Sequence, residues 1–157
     1  MKLDTKEIAL NAIIACIYAA LTLAIAPLAY SEVQFRISEV MVFLAFYNRK
    51  YIPGLVIGCF LSNIPSSLGW MDMVFGTFST LVVVMTMNKV NNRYTASVLG
   101  ALITGVIVGF ELHLAFGIPF LINAIYVAIG EFGVLLIGAI LFKTIENNPN
   151  VKRYLEE

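Results

Sequence analysis

Charge is scarce in this chain. Lysine, arginine, aspartate and glutamate together make up 13% of its 157 residues, against roughly a quarter in soluble domains. Hydrophobic residues make up 60% and mean hydropathy is +0.88, which excludes a soluble domain and places the chain in a membrane. Ten basic and ten acidic residues cancel, so there is no basic excess to attract nucleic acid. With one histidine and two cysteines there is no metal-ligand spacing. No phosphate-binding glycine loop and no nucleophile–base–acid set is present either, so neither an enzyme, a cofactor nor a metal is expected. Cys16 and Cys59 lie in apolar stretches and read as small buried hydrophobes, not as a disulfide. No small-residue cleavage site follows Lys2, Asp4, Lys6 and Glu7, so the first apolar run is expected to be a retained helix.

What is abundant is long apolar sequence cut by short charged clusters. Six helices are expected in one domain, at about 7–29, 38–47, 52–64, 72–88, 94–116 and 119–146. Asp4 and Glu7 form a capping-box-like start, Ser38 can cap the second helix, and Pro53 suits the first turn of the third. The second and third are too short for a full crossing and read as tilted or interrupted spans. The sequence after Pro149 reads as a polar surface tail. Small residues recur on the first helix at Ala12, Cys16, Ala20 and Ala24, with Ala15 and Ala19 beside them. They recur on the fifth at Ala101, Gly105 and Gly109. Such stripes let helices approach closely in lipid, either within one bundle or between proteins.

Orientation follows from the basic residues. Lys2, Lys6, Arg49, Lys50, Lys89, Arg93, Lys143, Lys152 and Arg153 fall at alternate helix ends, on one side if all six segments cross. That side is the cytoplasmic one, with both termini. Arg36 is the exception, and it could pair with Glu32 or Glu39.

The remaining polar groups gather in the opposite half: Gln34, Arg36, Glu39, Asn63, Asp72, Glu111, His113, Asn123 and Glu131. A charged group at the bilayer centre costs roughly 2.5–3.5 kcal/mol, so such groups face a cavity, pair, or bind something. Glu131 is the deepest acid and the first choice for a ligand contact. Asn123 lies on a compatible helix face. Glu111 and His113 stand about 200° apart around their helix and cannot both face one cavity. Glu39 and Asp72 have a second explanation as first-turn acids favoured by the helix dipole. His113 and Trp70 fit either an interfacial position or a ligand contact. Donors, acceptors and aromatics in this mixture suit a small, polar, planar ligand, with Gln34 to Glu39 as a lid.

The blocks Ala26-Pro27-Leu28-Ala29-Tyr30, Gln34-Phe35-Arg36-Ile37-Ser38-Glu39, Ile52-Pro53-Gly54-Leu55-Val56-Ile57-Gly58-Cys59, Asn63, Asp72-Met73-Val74-Phe75-Gly76 and Gly130-Glu131 resemble the queuosine-precursor transporter (QueT) family over nearly the whole chain. The resemblance implies an all-α integral membrane protein: a six-helix S component of an energy-coupling factor (ECF) transporter in a prokaryotic plasma membrane. It implies a deazaguanine-type queuosine precursor as ligand, held by Glu131 or Glu111 with Asn63, Asn123 and Gln34. The implied partners are a transmembrane T component and two cytoplasmic ATPases. Docking to the T component would use the first-helix stripe, Ala12, Ala15, Cys16, Ala19 and Ala20.

Overall fold

The structure, a computed structural model, describes residues 4–29 and 35–156. Every element among them is helical. α1 (Thr5–Ala24) begins at Asp4, whose carboxylate accepts from the Lys6 N–H at 3.4 Å, and a short α2 (Ala26–Ala29) follows it. A 3-10 segment, Ile37–Val42, runs into α3 (Phe43–Tyr47), and a 3-10 turn, Arg49–Tyr51, leads into α4 (Ile52–Asn63). α5 (Trp70–Met87), α6 (Arg93–Phe116) and α7 (Phe120–Ile145) complete the bundle. Asn92 caps α6 by accepting from the Tyr94 and Thr95 N–H groups, and Gly117 ends it at φ 70 in the left-handed region, where glycine carries no Cβ penalty. α1, α5, α6 and α7 are long and apolar enough to cross a membrane. α3 and α4 are short, as their sequences predict.

Three local expectations change. The second helix starts as 3-10, with Arg36 at its N-cap position and no side-chain cap. Ser38 instead shares a 2.7 Å hydrogen bond with Thr22 of α1. The polar tail forms a further helix, α8 (Pro149–Glu156), that folds back on the bundle. Tyr51 donates to the Tyr154 carbonyl at 2.9 Å and Asn48 to the Glu156 carbonyl at 3.0 Å. Cys59 is buried, whereas Cys16 faces outward.

The two small-residue stripes are used differently. Gly105 and Gly109 pack α6 so closely on α7 that a Cβ at Gly109 would meet the Ala124 Cα at 2.6 Å. On α1, Ala15 is buried against Gly58 of α4. Ala12, Cys16, Ala20 and Ala24 are exposed and Ala19 is half-buried. Asn11 fastens the same pair of helices, accepting from the Gly54 N–H at 2.6 Å and donating to the Lys50 carbonyl at 2.8 Å.

The apolar core lies toward the end of the bundle that carries most of the basic residues. It is built from Tyr18, Val42, Phe43, Leu55, Val84, Met87 and Leu135, with Phe142 against Phe43 and Tyr47 at 5.9 Å. At that end Arg93 donates twice to Glu146, at 2.8 Å each, and Tyr47 donates to the same carboxylate at 2.7 Å.

Candidate functional site

Above this core the bundle encloses polar groups. Arg36 enters from the start of the 3-10 segment, Glu39 from within it, Asn63 from the end of α4 and Asp72 from the first turn of α5. Glu111 comes from α6 and Glu131 from the middle of α7. All six are at most 5% exposed. Arg36 and Glu39 thus point into the bundle, so the described part of the expected lid is an inward-turned wall. Gln34 lies outside the described residues.

Arg36 forms an ion pair with Asp72, donating to it at 3.4 Å, and donates to the Ala29 carbonyl at 3.4 Å; Glu32, one of the two acids expected to pair with it, lies outside the described residues. Gly76, one turn after Asp72, makes room for this. A Cβ there would stand 2.6 Å from the Asn63 amide nitrogen and 3.4 Å from the guanidinium. Asp72 also accepts from the Ser66 hydroxyl, and Asn63 donates to the Asp72 carbonyl at 2.9 Å. Glu39 accepts from Tyr18 of α1 and, at 3.1 Å, from Thr80 of α5. The Thr80 hydroxyl also lies 3.2 Å from the Cys59 sulfur.

Glu39 and Asp72 thus accept hydrogen bonds from neighbouring side chains, whereas Glu111 stands against the like-charged Asp72. Both Glu111 carboxylate oxygens, one Glu131 oxygen and the Asn63 carbonyl oxygen are buried without a hydrogen-bond partner. A buried acceptor left unpaired costs about 1–3 kcal/mol, more for a charged group. Such orphaned acceptors are rare in native folds, and a donor from a bound molecule would satisfy them. Arg36, Glu39, Gly76, Ser79, Thr80, Thr104, Val108 and Glu131 line a cavity of about 10 Å³, room for about one water. Glu111 lies one turn beyond Val108 on the same face of α6.

The other candidates lie apart from this group. His113 is half-buried, with Nδ1 2.7 Å from the Ile118 carbonyl oxygen, so it closes the α6–α7 turn. Asn123 is buried and directs its amide to the same carbonyl at 3.4 Å. Trp70 is 68% exposed at the start of α5. Sequence reasoning missed Tyr18, Ser66, Thr80 and Gly76. Hydroxyls in apolar helices commonly bond their own backbone and give no hydropathy signal. Among the described residues, no group of three or more histidine, cysteine or acidic side chains is arranged to hold a metal ion.

Comparison with known proteins adds the following. The sequence model described as "QueT transporter" matches residues 8–147. The chain is 30% identical over 168 aligned positions to a Lactococcus lactis subsp. cremoris protein named "Queuosine precursor transporter QueT", covering 97% of this chain and 99% of that protein. No solved structure gives a significant match.

Proposed function

The chain belongs to the QueT transporter family, and from that membership and the unpaired acceptors in its closed polar site we propose that it is the substrate-capturing S component of an ECF-type importer for a queuosine precursor. The family is one of transporters, not enzymes, and no covalent step is assigned to any residue.

The observation that carries the reading is the chemistry of the orphaned atoms. All those in the site proper, on Glu111, Glu131 and Asn63, are acceptors, so the ligand must present several donors. A deazaguanine does so: its ring N–H and exocyclic amine lie side by side on one edge and suit a carboxylate, while its carbonyl suits a guanidinium or amide donor. Glu131 takes the donor edge and Arg36 the carbonyl. Asn63 adds a neutral contact, and Asp72 holds Arg36 in place. A site for a small organic ligand normally encloses about 300–1,000 Å³, far above the present 10 Å³. Entry therefore requires the inward-turned segment from Arg36 and its neighbours to move apart.

Six segments cross the membrane of a prokaryotic cell in this reading, with α3 and α4 as short spans and both termini cytoplasmic. The contacts of Asn11 with Lys50, Asn48 with Glu156 and Arg93 with Glu146 gather the basic ends at one face, as the positive-inside rule asks. The T component would meet the exposed face of α1, Ala12, Cys16, Ala20 and the edge of Ala19, and cytoplasmic ATPases would drive release. Ala15 supports that face from behind by seating α4.

Binding of deazaguanine bases to the purified protein tests the reading. Micromolar or tighter binding is expected, weakened at least about tenfold in E131Q. Tight binding of an unrelated vitamin, with none of the deazaguanines, would overturn it.

A further inference from the structure

We infer that Asp72 and Glu111 share one proton, with Glu111 as the neutral member that donates to Asp72. Glu111 is then a positioning residue that keeps the charge of Asp72 reserved for Arg36. This goes beyond the proposed function and holds whatever ligand fills the site.

The register of two helices puts the carboxyls face to face. α5 and α6 follow one another through a short turn and run antiparallel, and Ser79 donates to Thr104 across them at 3.3 Å. Two turns beyond that bond, seven residues back along α5 and seven forward along α6, stand Asp72 and Glu111. Phe75 and Phe110, with ring centroids 6.2 Å apart, keep the same helices together between the two levels. Glu111 interacts directly with Asp72, and the two side chains are buried at 0% and 1% exposure.

Two carboxylates in contact and out of water cannot both keep their charge, so one of them takes a proton. The donors at hand decide which. Asp72 has a donor at each oxygen, Arg36 at Oδ1 and the Ser66 hydroxyl at Oδ2, while both Glu111 oxygens lack any hydrogen-bond partner. A carboxylic acid is itself a donor, and a carboxylate has lone pairs for more than two bonds. A proton on Glu111 therefore turns two facing acceptors into a hydrogen bond. The second Glu111 oxygen stays an uncharged acceptor, open to a ligand.

No other group around the pair replaces this proton. The titratable and charged side chains that face it are Tyr18 from α1, Arg36 and Glu39 from the 3-10 segment, Cys59 from α4 and Glu131 from α7. His113 is turned to the Ile118 carbonyl. Arg36 is the one base among them, and it pairs with Asp72. An ionised Glu111 would compete for that guanidinium, with which it also interacts; a neutral one leaves the pair intact.

The test is infrared spectroscopy of the purified, ligand-free, full-length protein at neutral pH, in wild type, E111Q and D72N, beside thermal unfolding midpoints in detergent. Wild type should show the carbonyl-stretch band of a protonated carboxyl. E111Q should lose the part of that band that belongs to Glu111, whatever Glu39 and Glu131 contribute. Its midpoint should match wild type, since a glutamine amide donates to Asp72 as the acid does. D72N should shift the same part of the band, because the group that accepts from Glu111 has changed, and D72N alone decides if E111Q does not fold. A band identical in wild type and both variants would overturn the inference. So would a midpoint of E111Q well above wild type, the sign of two repelling charges relieved. Both readouts are taken without ligand, so either failure leaves the proposed function to its own binding test.

Discussion

Arg36 does at the scale of one residue what a whole polar surface does in a soluble protein. Its guanidinium interacts electrostatically with Glu39, Glu111 and Glu131 as well as with its partner Asp72. Removing one partner of a buried pair costs roughly 3–5 kcal/mol because a charge is stranded. The two directions are unequal here. D72N leaves Arg36 among three further acids, whereas R36Q leaves four acids with no described base. R36Q is therefore expected to lower the thermal unfolding midpoint in detergent more than D72N, measured side by side. A larger loss in D72N would show that Asp72, not Arg36, is the hub. The acids of this site were legible in the sequence because each contradicts its apolar surroundings. The hydroxyl partners were not, since Tyr18 and Thr80 fit an apolar helix equally well with or without a carboxylate to hold. The pairing of Arg36 with Asp72 was hidden for another reason. The two are 36 residues apart, and only the arrival of α5 beside the 3-10 segment joins them.

At the scale of the helix, one sequence pattern has two fates. Small residues at four-residue spacing mark both α1 and α6, and nothing in the spacing distinguishes them. On α6 the stripe is consumed inside the bundle, where α7 lies against the Gly109 backbone. On α1 the stripe of Ala12, Cys16 and Ala20 stays exposed, while the neighbouring Ala15 is used by α4. Opposite mutational signatures follow. G109A drives a methyl group into the Ala124 backbone, which cannot yield as a side chain could, and such overpacking costs about 1–3 kcal/mol; its unfolding midpoint should fall. A20L adds bulk to an open face, so its midpoint and its ligand affinity should match wild type. If α1 is the docking face, A20L should nevertheless lose co-purification with the T component and ATPases. A20L that still co-purifies in full would move docking to another face. Helix existence was readable from hydropathy, but the 3-10 start at Ile37 was not. It arises because Ser38 is drawn to Thr22 and Glu39 to Tyr18, tertiary bonds with no local sequence signature.

At the scale of the whole molecule, the bundle separates two kinds of polar chemistry with an apolar core between them. One end holds the Arg36–Asp72 pair and acceptors without hydrogen-bond partners; the other holds the Arg93–Glu146 pair, which ties chain segments together. Residues 47, 93 and 146 meet there, and α8 returns nearby to close over the start of α4. The basic clusters announced this end in the sequence, but the pairing of Arg93 with Glu146, across 53 residues, depended on how α6 and α7 run side by side. The Glu146 carboxyl, outside the spans, is held below the usual carboxylate range, first by the Arg93 hydrogen bonds and then by Tyr47. A carboxyl with a depressed folded-state pKa contributes stability that is present above its unfolded value and lost as pH falls through the folded one. The contribution of Glu146 should thus be complete at neutral pH, begin to fall at about pH 4, the ordinary carboxylate range, and vanish only below the folded value. Because the pair is partly exposed, the effect is modest, on the order of 1 kcal/mol or less. Unfolding midpoints of wild type and E146Q, compared in detergent across pH 3 to 8, should differ most at the neutral end and converge in acid. A gap that stays constant with pH would mean that Glu146 acts through shape and hydrogen bonding alone, and that the ends of α3, α6 and α7 are fastened without help from its charge.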